Sequence, residues 1–296
     1  MLKYFGYITL GLFSFSLAAN PSVTSREYKM MLDSSRFNFN EEASIVDQVF
    51  NNVSQVISSA ADTDVESKYK LSKKRKVRFY DVPGSCLLRE NGYSFRERIT
   101  KGDSSMSFKF RSPDRYITGF ENLQSSHSEA ETKFELDIGV KADNTFSSIY
   151  SKSTKFKSND KVKTMDYINS NFPYFKGNYQ FSGDITLRPV SSLTVYERVY
   201  KGLEFNLDQL ESEVSLTLWY LNKPTSNDKP IVAEISFDFE DDSAMYSKLS
   251  VNKAKATFDA MQKMSDWVDP HSVTKTSFVY SYNPEFCQPS STRGQL

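Results

Sequence analysis

Two cysteines, two histidines and two tryptophans are all that this chain of 296 residues contains, and glycine is sparse at 11. Cys86, Cys287, His127 and His271 are scattered along it, which excludes a zinc centre built from clustered thiols and imidazoles. His127 stands in a Ser-rich stretch and His271 follows Asp269-Pro270, so both read as exposed loop residues rather than bases. Net charge is also lacking: 37 Lys and Arg balance 37 Asp and Glu. A neutral total argues against a general nucleic-acid or membrane-surface binder and leaves a local basic site open. After the first twenty residues no apolar run is long enough to span a bilayer.

The first residues, "MLKYFGYITLGLFSFSLAANP", have a pattern of their own. One lysine precedes an apolar run from Tyr4 to Phe15, and small residues follow at Ser16, Ala18 and Ala19. A charged start, a short apolar core and a small-residue end make a secretory leader over 1–19, with cleavage expected near Ala19 and an uncleaved anchor as the alternative. The mature chain is then secreted or periplasmic, with no membrane span. Export permits a Cys86–Cys287 disulfide; two independent thiols are the alternative, and spacing alone leaves both open.

Aromatics are abundant, 23 Phe and 17 Tyr, with 39% hydrophobic and 25% charged residues. That suits a soluble α+β domain built on aromatic, β-branched strands. Residues 20–37 read as an irregular arm. Helical spacing follows over 38–60, with Ile45, Val46, Val49, Phe50, Val53, Val56 and Ile57 in one stripe. The expected segments are 20–62 for arm and helix, 63–287 for a single strand-rich domain, and 288–296 for a loose tail. Period-two alternation begins at 64. "DVESKYKL" (64–71) and "VRFYDV" (77–82) read as strands joined by a charged "SKKRK" turn. Strands follow at 92–99, 105–112 and 130–139, a helix at 146–156, and short strands from "NYQFSG" to "GLEFNL". A hairpin of "EVSLTLWYL" and "PIVAEISFDFE", a helix at 250–268 and a closing strand at 274–282 complete the reading.

Many strands carry one apolar and one charged face. Arg96 and Arg98 oppose Phe95 and Ile99; Lys109 and Arg111 oppose Phe108 and Phe110; Tyr196 and Arg198 oppose Val195 and Val199; Glu234, Ser236 and Asp238 oppose Ile235 and Phe237. Asp64, Glu66 and Lys68 likewise share a face. An ordinary sheet wets such faces. Two neighbouring strands bearing only bases, and another bearing acids, instead suit a sheet closed with its charged faces inward.

The ordered blocks resemble the CYTH domains, or triphosphate tunnel metalloenzymes. "DVESKYKL" resembles the acidic-x-acidic-x-Lys opening, "FYDVPGSCLLRENGYSFRERI" the turn and basic-x-Arg block, and "SFKFRSP" the following Lys strand. "LRPVSSLTVYERVY" resembles the Arg block, "PIVAEISFDFE" the acidic return strand, and "SVTKTSF" the closing Ser-Lys element. The resemblance implies an antiparallel eight-stranded β-barrel, a tunnel with helices packed outside, taking a polyanionic phosphate ligand. It implies phosphate contacts from Lys68, Arg96, Arg98, Lys109, Arg111, Arg198 and Lys275. Asp64, Glu66, Glu234 and Asp238 would hold Mg²⁺ or Mn²⁺, with Glu66 and Glu234 as catalytic carboxylates and Glu129 and Glu131 as further candidates.

The blocks depart from the family where Asp64 replaces Glu, where Ser236 replaces an acid, where Val82 replaces Thr, and where the helix precedes the first block. Two functions follow: a metal-assisted triphosphate or polyphosphate hydrolase, or a non-catalytic phosphate-binding protein that keeps the tunnel with an incomplete metal set.

Overall fold

The computed structural model describes residues 20–140, 146–269, 271 and 273–289. The leader expected over 1–19 and most of the 288–296 tail lie outside them. The chain starts with β1 (Ser25–Leu32), α1 (Glu42–Ala61) and β2 (Val65–Asp81). Next come α2 (Leu87–Glu90), β3 (Tyr93–Thr100), β4 (Asp103–Ser112), α3 (Arg115–Phe120), β5 (Glu131–Val140) and β6 (Phe146–Lys157). Two short helices, α4 (Met165–Asn171) and α5 (Pro173–Tyr179), precede β7 (Arg188–Pro189). The remainder is β8 (Val195–Leu207), β9 (Leu210–Tyr220), β10 (Val232–Glu240), α6 (Lys248–Met261) and α7 (Lys275–Tyr282). None of the described helices is long and apolar enough to cross a membrane.

The strands form one sheet in the order β3-β4-β6-β5-β1-β10-β9-β8-β2, with β7 appended, and β2 also pairs with β3. That last pairing closes a ring of nine strands. Eight antiparallel strands were expected; the ninth is β1, which inserts between β5 and β10 and runs parallel to β5. Residues 25–32, expected within an irregular arm, therefore belong to the ring. Tyr28, Met30 and Leu32 are buried in the core outside it, and Glu27 and Lys29 face the interior.

The ring turns its charged faces inward, so its outer face is the one that needs cover. Helices α1 and α6 bury Val49, Phe50, Ile57, Ala254 and Phe258 against β1, β8, β9 and β10. On the opposite side Ile168 of α4 and Phe175 of α5 cover Phe95, Met106 and Phe108 of β3 and β4. Each such fully buried side chain contributes about 1.5–3 kcal/mol.

Local assignments differ from the sequence reading in further places. The "SKKRK" segment is not a turn: β2 runs through it as one strand, held by β8 across register shifts at Ser67/Lys70 and Leu71/Lys73. Residues 146–157 form a strand rather than a helix, because β4 and β5 both pair with them. The "NYQFSG" segment is not a strand; it holds the end of α5 and the loop after it. Residues 275–282 form α7 rather than a closing strand. This helix packs Val279 and Tyr280 against Val77, Phe79, Val195 and Trp219, which fill one end of the ring. Cys86 and Cys287 form a disulfide that ties the chain after α7 to the turn after β2.

Candidate anion-binding site

The ring encloses a cavity of about 650 Å³. In a chain of zero net charge its wall is strongly biased, with ten bases against six acids. Alternation explains the lining. Arg96 and Arg98 project inward from β3 while Phe95 faces the helices; Lys109 and Arg111 do so from β4; Lys133, Glu135 and Asp137 do so from β5. Glu27 and Lys29 of β1, Arg75 of β2, Lys155 of β6, Glu197 and Lys201 of β8, and Glu234 and Asp238 of β10 complete the charged wall. Lys275 enters from the first turn of α7, and its Nζ lies 2.7 Å from Glu234 Oε1.

Three carboxylates converge on one side. Ligand oxygens of Glu27, Glu135 and Asp137 lie within 4.8 Å of one another. Lys29 Nζ lies 2.8 Å from both Glu27 and Asp137, Lys109 bonds Glu135, and Arg111 Nε lies 3.7 Å from Asp137. Burial alone would raise the Asp137 carboxyl; Lys109, Lys29 and Arg111 outweigh it and hold Asp137 far below its usual range. Glu135 is likewise held down at about 2, with Lys109 the main opponent of burial. Asp238 is in no ion pair among the described residues, so burial and then the nearby Glu27 push it up to about 6, against the weaker pull of Lys133 and Lys201.

Strands β3 and β6 carry cations outside the ion pairs of the described residues. Among the described residues Arg96 and Lys155 form no ion pair, and they sit on either side of Ser107, the β4 residue registered with both. The Nε atoms of Arg96 and Arg98 are buried without a hydrogen-bond acceptor. Burial, and then repulsion from Arg98, pushes Arg96 well below the ordinary range. A guanidinium stays protonated in proteins, so this strain expresses the demand of a buried cation for an anion. Glu197 answers part of it: it bonds Arg75, lies 3.8 Å from Arg98 Nε, and accepts from Trp219 Nε1 at 3.2 Å.

Of the expected phosphate contacts, Arg96, Arg98, Lys109, Arg111 and Lys275 line this cavity; of the expected metal ligands, Glu234 and Asp238 do. Asp64, Glu66 and Lys68 do not. They are exposed where β2 extends past the ring, and Lys68 Nζ reaches only Glu66, at 2.9 Å. Arg198 is also elsewhere, because β8 turns its Arg198 face to α1 and its Glu197 face inward. Glu129 and Glu131 are exposed and outside the cavity wall. The sequence reading missed Glu27, Lys29, Arg75, Lys133, Glu135, Asp137, Lys155, Glu197 and Lys201. The signal for the β5 residues was present, since Lys133, Glu135 and Asp137 alternate with Phe134, Leu136 and Ile138.

No family model and no curated protein matches the chain. Among solved structures it is similar to a candidate adenylate cyclase from Bacillus halodurans, at 12% identity and TM-score 0.39, covering 87% of this chain and 96% of that one. It is similar to a candidate adenylyl cyclase from Hippeastrum described as having a dominant triphosphatase activity, at 10% identity and TM-score 0.40, covering 88% and 96%. A third, a candidate adenylate cyclase from Vibrio parahaemolyticus, has 11% identity and TM-score 0.37, covering 88% and 99%.

Proposed function

We propose that the chain binds a linear triphosphate or short polyphosphate inside the ring and hydrolyses its terminal phosphoanhydride bond. The observation that carries this reading is the imbalance of the cavity wall, ten bases to six acids, with Arg96 half-buried, its Nε fully buried without an acceptor, and no ion pair to it among the described residues. A compact multiply charged anion supplies the missing charge, and arginine forks match phosphate oxygens. Water provides the oxygen that bonds the terminal phosphorus, the bridging P–O bond breaks, and phosphate leaves from the shortened chain.

Glu27, Glu135 and Asp137 offer the oxygen donors that Mg²⁺ or Mn²⁺ prefers, so the donor set fits such an ion. The ion, when bound, would neutralise charge on the phosphate oxygens. This chain's own residues do the remaining work. Arg96, Arg98, Arg111 and Lys155 hold the anion, and Lys29 and Lys109 keep the carboxylates ionised. The acidic-x-acidic-x-Lys opening, first matched to Asp64, Glu66 and Lys68, then corresponds better to Ser25, Glu27 and Lys29 of β1. That placement also puts α1 after the opening block, where the family has its helix. Export is part of the proposal, supported by the leader-like first residues and by the disulfide.

A non-catalytic phosphate-binding protein is the second reading. It is favoured by Ser236 between Glu234 and Asp238, and by the lysines already bonded to Glu234 and Asp137. Calorimetry with tripolyphosphate, beside phosphate release with Mg²⁺ or Mn²⁺, separates the two. Binding with release that Glu135→Gln abolishes supports the hydrolase, and binding without release supports the second reading. Failure to bind removes both.

A further inference from the structure

The segment 68–76 carries six bases and no acid in nine residues, Lys68, Lys70, Lys73, Lys74, Arg75 and Lys76, in a chain whose total charge is balanced. Only Arg75 lines the cavity. Lys76 pairs with β3 and β8 inside the ring, whereas Lys68, Lys70, Lys73 and Lys74 lie on the part of β2 beyond its pairing with β3, and two irregularities decide where they point. Strict alternation would put Lys70 and Lys73 on opposite faces. The register shift at Leu71/Lys73 brings both onto the cavity side instead: Lys73 is registered with Val199, and Lys70 with Lys201, both of which line the cavity. The second shift, at Ser67/Lys70, is matched by Gly202 on β8. Its φ is +109°, and a Cβ there would come within 2.8 Å of the Lys68 carbonyl oxygen. Glycine is required at this close approach.

The result is a ladder of rows across β2, β8 and β9. Arg75–Glu197–Trp219 lies at the cavity, then Lys73–Val199–Thr217, then Lys70–Lys201–Ser215, and last Glu66–Glu204–Glu213. A second depression of about 290 Å³ is lined by Lys68, Lys70 and Ser72 on one hand and by Glu66, Glu204 and Glu213 on the other, and shares Lys201 with the cavity wall. Lys70 and Lys73 form no ion pair among the described residues, whereas Lys201 bonds Glu213. Arg75 and Lys70 are five residues apart along the strand, about 17 Å.

We infer that this ladder is an external extension of the anion site, built for a linear polyphosphate longer than the cavity, whose chain leaves the mouth past Lys201 and runs over Lys73 and Lys70. The inference rests on the cavity binding phosphate chains. Its outer limit is the row of Glu66, Glu204 and Glu213, where carboxylates stand opposite one another. Single-stranded nucleic acid fits less well. Such sites stack bases on aromatic rings, and the one aromatic on this stretch of β2, Tyr69, turns away to stack on Phe50 at 4.4 Å.

The test compares affinities of the full chain for tripolyphosphate and for a polyphosphate of several tens of units, at one fixed salt concentration because exposed charges are screened. The wild type is expected to bind the long chain about tenfold more tightly than the short one. Lys70→Glu/Lys73→Glu, two exposed substitutions, is expected to erase that gain and leave tripolyphosphate affinity within about twofold. Equal wild-type affinity for both lengths overturns the ladder, as does an equal loss for both in the variant. A matching gain with an oligothymidylate of similar charge overturns the assignment to polyphosphate. If tripolyphosphate fails to bind the wild type, the cavity reading falls. The ladder then survives only if the double variant still abolishes binding of the long chain.

Discussion

Arg198 Nε donates to Glu42 Oε1 across 2.6 Å, on the side of β8 facing away from the cavity. Tyr220 donates to the other oxygen of Glu42 at 2.7 Å, and Tyr200 donates to Oε1. Glu42 is only 2% exposed, so three donors depend on one carboxylate at the start of α1. Glu42→Ala should therefore cost about 3 kcal/mol, since breaking a buried pair strands its partner. Urea denaturation measures this. Tripolyphosphate affinity of the folded Arg198→Ala variant should match the wild type; a loss of affinity with unchanged stability would return Arg198 to the ligand site.

Arg96 should behave in the opposite way. Its buried Nε has no acceptor, so Arg96→Ala removes a charge that folding has to desolvate. The melting temperature is expected to hold or rise. Tripolyphosphate affinity is expected to fall on the order of tenfold or more, the worth of a charge-assisted hydrogen bond. Calorimetry and thermal melts on the same sample check both halves.

These two arginines also mark how far the sequence could be read. The inward face of β3 and β4 was legible because each alternates without interruption and their hairpin fixes both. For β8 the alternation was equally clear, but both faces are charged. The choice between Arg198 and Glu197 depends on Glu42, 156 residues away. β1 was invisible because its partners β5 and β10 lie more than a hundred residues downstream. Lys275 was expected on a strand, because "TKTSFVYSY" is rich in β-branched and aromatic residues. Docking of Tyr280 on Asp81 and the nearby disulfide override that propensity.

Acid should unfold the protein partly through Glu197. Burial alone would raise its carboxyl, but Arg98, Arg75 and Lys275 hold it at about 2, against an ordinary 4.5. A folded value below the unfolded one adds stability above pH 4.5, and this is lost as pH falls toward 2. The amount is on the order of 3 kcal/mol. Glu197→Gln should flatten stability across that window and leave Arg75 and Arg98 short of a counter-ion at neutral pH. Urea midpoints from pH 2.5 to 7 for both proteins test it. An unchanged slope would place the acid sensitivity elsewhere.

The Cys86–Cys287 disulfide spans 201 residues of chain. In the chain-entropy view, closing so long a loop restricts the unfolded state by about 5 kcal/mol. Reduction should lower the melting temperature markedly. The first region to loosen should be α7, held otherwise by Tyr280 Oη to Asp81 at 2.8 Å and Ser191 Oγ to the Val279 carbonyl at 2.9 Å. Limited proteolysis before and after reduction should show new cleavage within 273–289. Cleavage appearing first in α1 would contradict this order.

The last prediction concerns the carboxylates of Glu27, Glu135 and Asp137. Glu135 bonds Lys109, and Lys29 bridges Glu27 and Asp137. Without a divalent ion these ammonium groups are their counter-charges. A bound ion would compete with Lys29 and Lys109 for the same oxygens and free both lysines to face the anion. Metal and tripolyphosphate should then bind with positive coupling, each raising the affinity for the other by the same factor. Titrating Mn²⁺ with and without tripolyphosphate measures that factor directly. Glu135→Gln removes one charged donor and should reduce the coupling while leaving Arg96 and Lys155 to hold the phosphate. If Mn²⁺ affinity is independent of the anion, the lysines keep the carboxylates, and the cavity works as a binding site rather than a hydrolase.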